Sequence, residues 1–166
     1  HMKQINKKVG ACMKIYDSEK IRNIAVLGHS GCGKTNLLET IAHAANVNKI
    51  PKLSNNVQMT YSMSLMPVEY EGFKFNFIDT PGYTDFTGDV VTALAASDAA
   101  IIVIDATDTM QVGTEKALEL TEGIPKFMFI NKIDNEKARY KDVIEMLNEK
   151  FENKIVPMIS PEFKDG

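Results

Sequence analysis

One segment near the start of the chain has the residue types that hold phosphate groups. It reads GHSGCGKT and matches the pattern GxxxxGK[ST] at consecutive positions: Gly28, His29, Ser30, Gly31, Cys32, Gly33, Lys34 and Thr35. Glycines let such a loop wrap with its N–H groups around an anion, and the N-terminus of the following helix adds partial positive charge. We expect Lys34 to reach the β- and γ-phosphates of a nucleotide and the Thr35 hydroxyl to ligate Mg²⁺.

His29 and Cys32 occupy variable positions of this pattern, and we expect both to act as spacing residues in the loop. An alternative for Cys32 is a reactive thiol, because a neighbouring lysine and a helix start can lower the pKa of a cysteine. The chain has one other cysteine, Cys12, and no CxxC or Cys/His cluster. This usage predicts two free thiols in a reducing, cytoplasmic compartment, without a disulfide or a structural zinc site.

A second segment, Asp79-Thr80-Pro81-Gly82, follows the apolar run FKFNFI. A carboxylate at the carboxyl end of a parallel strand faces the ligand crevice, so we expect Asp79 to bind Mg²⁺ through a water molecule. The Gly82 N–H is expected to donate to a γ-phosphate and to tie the following loop to the nucleotide state.

A third segment, Asn131-Lys132-Ile133-Asp134, follows the apolar run PKFMFI and has the chemistry to select a base. One carboxylate can accept hydrogen bonds from both N1–H and the exocyclic amine of guanine, whereas adenine has an acceptor at N1 and no amine at C2. Asp134 therefore predicts a guanine preference of several orders of magnitude. We expect Lys132 to lie along the base plane and Asn131 to brace the phosphate loop.

The elements that must hold these segments alternate between apolar strands and amphipathic helices. Expected strands are 21–27, 57–70, 73–78, 99–104, 125–130 and 155–159, and expected helices are 34–45, 87–97, 113–122 and 136–151. Glu71-Gly72 is a hairpin signal between the second and third strands. The order predicts an α/β fold with a mostly parallel six-stranded sheet, one antiparallel strand and helices on both faces.

Composition limits the class of protein. The chain has 166 residues, 44% of them hydrophobic and 25% charged, with a net charge of −3, which is typical of one soluble globular domain. The slight acidity argues against a free-standing, non-specific nucleic-acid binder. Apolar runs fall far short of the roughly 20 residues of a membrane span, so we expect no membrane partner, and we expect a monomer. Residues 1–12, beginning with His1-Met2, are interpreted as a tag or disordered extension before a domain at 13–166.

Together, GHSGCGKT, DTPGYTDF and NKID make residues 13–160 resemble the GTP-binding domain of the translational GTPases, the P-loop family that includes elongation factor G. The likeness is strongest to elongation-factor-G-like paralogues of bacteria. The resemblance implies binding of GTP, GDP and Mg²⁺, slow intrinsic hydrolysis and stimulation by the ribosome. Lys34 and Gly82, which we expect to contact the γ-phosphate, are candidate catalytic residues for that hydrolysis.

The sequence departs from the resembled family at three places. Tyr83 follows DTPG where the family usually has a histidine that orients the attacking water, so Tyr83 is the candidate for positioning it. The segment before the PVEY strand is short, and Thr60 is the candidate sensor of Mg²⁺ and the γ-phosphate. A guanine-contacting Ser-Ala element is not evident near the C-terminus, where Ser160 is a poor substitute. We interpret the domain as truncated there.

Three functions stay open from the sequence. The leading hypothesis is a GTP hydrolase of the translational type, and the alternative is a non-hydrolysing module whose switch loops report the bound nucleotide to a partner. An ATP-dependent kinase of the P-loop class is the third, and NKID argues against it.

Overall fold

A computed structural model of the chain describes residues 15–45, 63–82, 87–108, 111–152 and 154–162. A short 3₁₀ turn at Ser18–Lys20 precedes the sheet. The strands and helices, in chain order, are β1 (Ile21–Leu27), α1 (Lys34–Ala44), β2 (Ser64–Tyr70), β3 (Phe73–Asp79), α2 (Thr87–Ala95), β4 (Ala99–Asp105), α3 (Val112–Leu120), β5 (Lys126–Asn131) and α4 (Tyr140–Lys150). Within these ranges, no helix is long and apolar enough to cross a membrane.

The strands form one sheet in the order β2-β3-β1-β4-β5. β3, β1, β4 and β5 run parallel, so their carboxyl ends lie at one edge of the sheet. β3 lies on one side of β1, and β4, which comes later in the chain, lies on the other side. The end of β1 is therefore a topological switch point. In open α/β sheets, such a point is where a ligand crevice forms.

Apolar residues pack on both faces of the sheet. On one face, Leu38 and Ala42 of α1 are fully buried against Val26 and Val103. On the other face, α2, α3 and α4 cover the remaining central side chains, among them Ile102 and Ile104. This arrangement explains the continuous apolar run of β4, because a parallel strand covered on both faces has no solvent-facing side.

The β2–β3 hairpin turns at Glu71 and Gly72, whose φ angles are +47° and +83°. Positive φ at both central residues is typical of a type I′ turn, whose twist matches that of the paired strands. The antiparallel pairing confirms the predicted hairpin. Rings of Phe73, Phe75 and Phe77 follow one another on one face at 6.2 Å, as a period of two requires.

The described part of the sheet has five strands, so the expectation of six is not confirmed. Residues 155–159 have no regular secondary structure, and the expected strand there is wrong. Pro157 has no N–H to give to a ladder, and Val156, Met158 and Ile159 are exposed instead of alternating between buried and exposed positions.

The last helix and the second strand also begin later than expected, whereas the other elements differ from their expected bounds by at most two residues. The last helix begins at Tyr140 and not at residue 136, because Asn135 forms a local turn in which its side-chain Oδ1 accepts from the Lys137 N–H at 3.0 Å. The second strand begins at Ser64, and the expected positions 57–62 lie outside the described residues.

Candidate functional site

The GHSGCGKT loop joins the end of β1 to the start of α1 at the switch point of the sheet. Gly28 has φ +142°, and a Cβ there would lie 2.3 Å from the Val103 carbonyl oxygen, so the loop starts in close contact with β4. Gly33 has φ +98° at the N-cap of α1. Both positions need glycine because a side chain would meet strain and a neighbouring group.

Lys34 is buried inside this loop. Its Nζ donates to the carbonyl oxygens of Gly28 and His29, each at 3.0 Å. Gly82 packs against Lys34 and the phosphate loop, since a Cβ added to it would lie 2.6 Å from Lys34 Nζ and 2.6 Å from the Ser30 backbone nitrogen. The segment after β3 therefore rests directly on the phosphate loop. The contact of the Gly82 N–H with a γ-phosphate stays a prediction.

Thr35 and Asp79 meet at the end of β3. The Thr35 hydroxyl donates to Asp79 Oδ2 at 2.8 Å, while Asp79 Oδ1 is buried and has no hydrogen-bond partner among the described residues. Burial raises the pKa of Asp79, and the Thr35 hydrogen bond and the Lys34 charge act in the opposite direction. A hydroxyl beside an unpartnered carboxylate oxygen is a donor set that suits a hard divalent cation.

Asn131 links the end of β5 to the phosphate loop. Its Nδ2 donates to the Cys32 carbonyl oxygen at 2.9 Å, which confirms the predicted brace. A Cβ added to Gly33 would lie only 2.3 Å from the same amide nitrogen. The two motifs are joined by a contact between residues 99 apart in the chain, and each fixes the other's backbone.

Lys132 is held by a residue that the sequence analysis did not select. Its Nζ donates to Asp105 Oδ2 at 2.6 Å, and the Thr107 hydroxyl and N–H donate to Oδ1 at 2.6 and 2.9 Å. Burial alone would raise the pKa of Asp105, but the Lys132 and Thr107 hydrogen bonds outweigh it and hold that pKa below its usual value. Asp105 ends a parallel strand as Asp79 does, which is the signal that could have identified it.

Asp134, on the turn after β5, is exposed and accepts no hydrogen bond from any described residue. Its predicted role in reading the base stays a prediction. Thr60 and Tyr83 lie outside the described residues, so the roles expected for them stay predictions.

The variable positions of the loop have structural contacts of their own. Cys32 is a buried free thiol, and burial raises its pKa against the opposing charge of Lys34. The alternative of a reactive thiol is therefore wrong, because a buried thiol with a raised pKa gives little thiolate. His29 does more than fill space, since its Nδ1 accepts from the Gly113 N–H of α3 at 3.3 Å.

Comparison with known proteins agrees with this geometry. Residues 19–161 match the family described as the elongation factor Tu GTP binding domain. The chain belongs to this family.

Among relatives of this GTP-binding domain, an elongation factor G-like protein of Mycobacterium tuberculosis is 30% identical over 156 residues, covering 85% of this chain and 22% of the relative. Peptide chain release factor 3 of Streptococcus mutans is 31% identical over 150 residues, covering 79% of this chain and 29% of the relative. The chain therefore spans less than a third of these relatives.

Solved structures have the same fold. A crystal structure of a protein from Thermus thermophilus superposes with a TM-score of 0.78 at 28% identity, over 87% of this chain and 24% of that one. The crystal structure of translation elongation factor SelB from Methanococcus maripaludis, in complex with the GTP analogue GppNHp, superposes with a TM-score of 0.66 at 22% identity. The superposition covers 80% of this chain and 27% of that one, and it supports the fold alone.

Proposed function

We propose that this domain binds GTP and GDP with Mg²⁺ and hydrolyses GTP slowly. The observation that carries the proposal is the convergence of three motifs at the carboxyl edge of one sheet. Gly82 lies on the phosphate loop, Asp79 is joined to Thr35, and Asn131 is joined to Cys32. These contacts support one continuous site, in which we propose separate regions for phosphates, a cation and a base.

The phosphate region consists of the loop N–H groups, the N-terminus of α1 and Lys34. Lys34 Nζ has three hydrogens, and the two carbonyl contacts hold it inside the loop that would surround the phosphates. An ammonium group buried among backbone carbonyls favours an anionic ligand, because the ligand offsets a charge that has lost its water. This chemistry supports binding of a di- or triphosphate.

Mg²⁺ would be held at Thr35 and Asp79. Asp79 Oδ1 lacks a partner among the described residues, and its burial disfavours the free carboxylate. A divalent cation supplies charge neutralisation to the β- and γ-phosphates when it is bound. Thr60, the candidate sensor of Mg²⁺ and the γ-phosphate, is proposed to add a ligand that depends on the nucleotide state.

Asp134 is proposed to read the base by accepting from guanine N1–H and the exocyclic amine, with Lys132 along the ring. Hydrolysis breaks the bond between the γ-phosphorus and the β–γ bridging oxygen after attack by water, and releases GDP and phosphate. Lys34 would stabilise the charge that develops, the Gly82 N–H would hold a γ-phosphate oxygen, and Tyr83 would orient the water. A phenol lacks the titration range of an imidazole, so we expect slow turnover.

The relatives' names, elongation factor G-like protein and peptide chain release factor 3, support a role in translation. We therefore propose that a longer protein containing this domain docks on the ribosome, and that the ribosome stimulates hydrolysis. We also propose a cytoplasmic, monomeric protein. The second candidate function is a module that binds nucleotide without hydrolysis, and the presence of Tyr83 after DTPG favours it.

A titration with GTP, GDP, XDP and ATP, with and without Mg²⁺, tests the binding proposal. Wild type should prefer guanine nucleotides, and Asp134→Asn should lose that preference and gain affinity for xanthine, whose C2 group is an acceptor. Lys34→Ala should weaken GTP and GDP binding by a few kcal/mol, the scale for losing a partner of a buried charge. Equal affinity for ATP, or unchanged GTP binding by Lys34→Ala, would contradict the proposal.

A further inference from the structure

Asp105 has an environment that fixes both of its carboxylate oxygens. The residue is 4% exposed at the end of β4. Oδ1 accepts two hydrogen bonds from Thr107, at 2.6 Å from the hydroxyl and 2.9 Å from the N–H, and Oδ2 accepts from Lys132 Nζ at 2.6 Å. The carboxylate therefore has one defined orientation, and that orientation points at Lys132.

Lys132 has a backbone conformation that needs support from its surroundings. Its φ is +60°, a left-handed value that residues with a Cβ rarely adopt outside turns. The segment after β4 supplies that support through the backbone as well, because the Ala106 N–H donates to the Asn131 carbonyl at 2.9 Å and the Ala106 carbonyl accepts from the Arg139 N–H at 2.7 Å. The end of β4 thus holds the base-reading segment on both sides of Lys132.

We propose that Asp105 is a positioning residue for the base of the bound nucleotide. By holding Lys132 Nζ, it fixes the aliphatic stem as one wall of the base site and stabilises the backbone turn that carries Asp134 two residues later. This inference rests on the proposed reading of guanine by Asp134. It adds to that reading a residue that contacts no part of the nucleotide and acts through Lys132.

The test compares Asp105→Asn, Lys132→Met and the double variant for their affinities for GDP and IDP. Asparagine still offers an oxygen to Thr107, but it turns an amide toward the Lys132 ammonium, so the lysine loses its anchor. We expect Asp105→Asn to weaken GDP binding about tenfold, the scale of one charge-assisted hydrogen bond. IDP lacks the exocyclic amine, so the GDP-to-IDP affinity ratio should fall as Asp134 loses its alignment.

The Lys132→Met background separates positioning from general stabilisation. If Asp105 acts through Lys132, Asp105→Asn should change GDP affinity less than about twofold in that background, as expected when two residues are coupled. Asp108→Asn is the matched control, since Asp108 is an exposed carboxylate of the same loop that pairs with Gln111 at 3.2 Å. It should keep wild-type affinity and the wild-type ratio.

Thr107→Val provides a second variant if Asp105→Asn does not fold. It removes one hydrogen bond that orients the carboxylate and should weaken GDP binding about threefold, again only when Lys132 is present. Unchanged affinity and ratio in both variants, or equal losses with and without Lys132, would overturn the inference while guanine binding by wild type stands. Wild-type protein that binds no guanine nucleotide would overturn the proposed function and the inference together.

Discussion

Replacing Gly33 by alanine should destabilise the nucleotide-free protein by about 2–4 kcal/mol. Gly33 has φ +98°, and a residue with a Cβ pays about 1–2 kcal/mol for left-handed backbone. The added methyl would also lie 2.3 Å from Asn131 Nδ2. The amide must then move away from the Cys32 carbonyl, which it now contacts at 2.9 Å, and the loss of that hydrogen bond adds about 1 kcal/mol or more.

Urea unfolding followed by fluorescence or circular dichroism measures this loss, and GDP titration measures its effect on the site. Two glycines serve as matched controls: Gly31 with φ +78° in the same loop and Gly123 with φ +75° after α3, both with open space where a Cβ would be. Their alanine variants should lose only the backbone cost of about 1–2 kcal/mol. The loss in free energy of unfolding caused by Gly33→Ala should exceed the loss caused by either control.

A double-mutant cycle isolates the contact between the two motifs. Asn131→Ala removes the brace and should cost about 1–2 kcal/mol, the scale for leaving a buried carbonyl unpaired. Combined with Gly33→Ala it should cost less than the sum, because the truncated side chain leaves room for the new methyl. Equal costs for Gly33→Ala and its two controls, or strict additivity in the cycle, would refute the reasoning.

Three further predictions follow from other contacts. Asp79→Asn should raise the urea midpoint of the nucleotide-free protein at neutral pH and abolish Mg²⁺-dependent GTP binding. Because burial raises the pKa of Asp79 in the folded state, the stability of the wild type should fall as the pH rises from the usual carboxyl pKa through that raised value. The stability of the variant should lack this pH dependence. Gly113→Ala should lower the free energy of unfolding by about 1–3 kcal/mol in the same urea assay, because its Cβ would lie 2.8 Å from His29 Nδ1. Gly88 in α2 has open space where a Cβ would be, so Gly88→Ala should raise the free energy of unfolding by about 0.5–1 kcal/mol. Single-turnover assays should give GTP hydrolysis no faster than about 10⁻³ s⁻¹ for the isolated domain. Tyr83→His should keep the affinity for GDP and raise ribosome-stimulated hydrolysis in a longer protein. Fast hydrolysis by the form with Tyr83 would contradict the role of Tyr83 in orienting the water.

The sequence alone determined the elements whose signals are local. The apolar run of β4, the alternating phenylalanines of β3 and the glycine pattern that opens α1 each depend on neighbours within a few residues. Because parallel strands end at a common edge, these elements also predicted that Asp79 and Asn131 would lie beside the phosphate loop. Local patterns failed at residues 155–159, where an apolar run near Pro157 did not become a strand.

Only the tertiary structure decided which partners the site residues have. The contact of His29 with Gly113 joins residues 84 apart, and the ion pair of Lys132 with Asp105 joins residues 27 apart. No periodicity encodes such pairs, since they depend on how strands are ordered in the sheet and how closely the loops approach. The same packing excluded water from Cys32 and so raised the pKa of a thiol whose sequence neighbours would have lowered it.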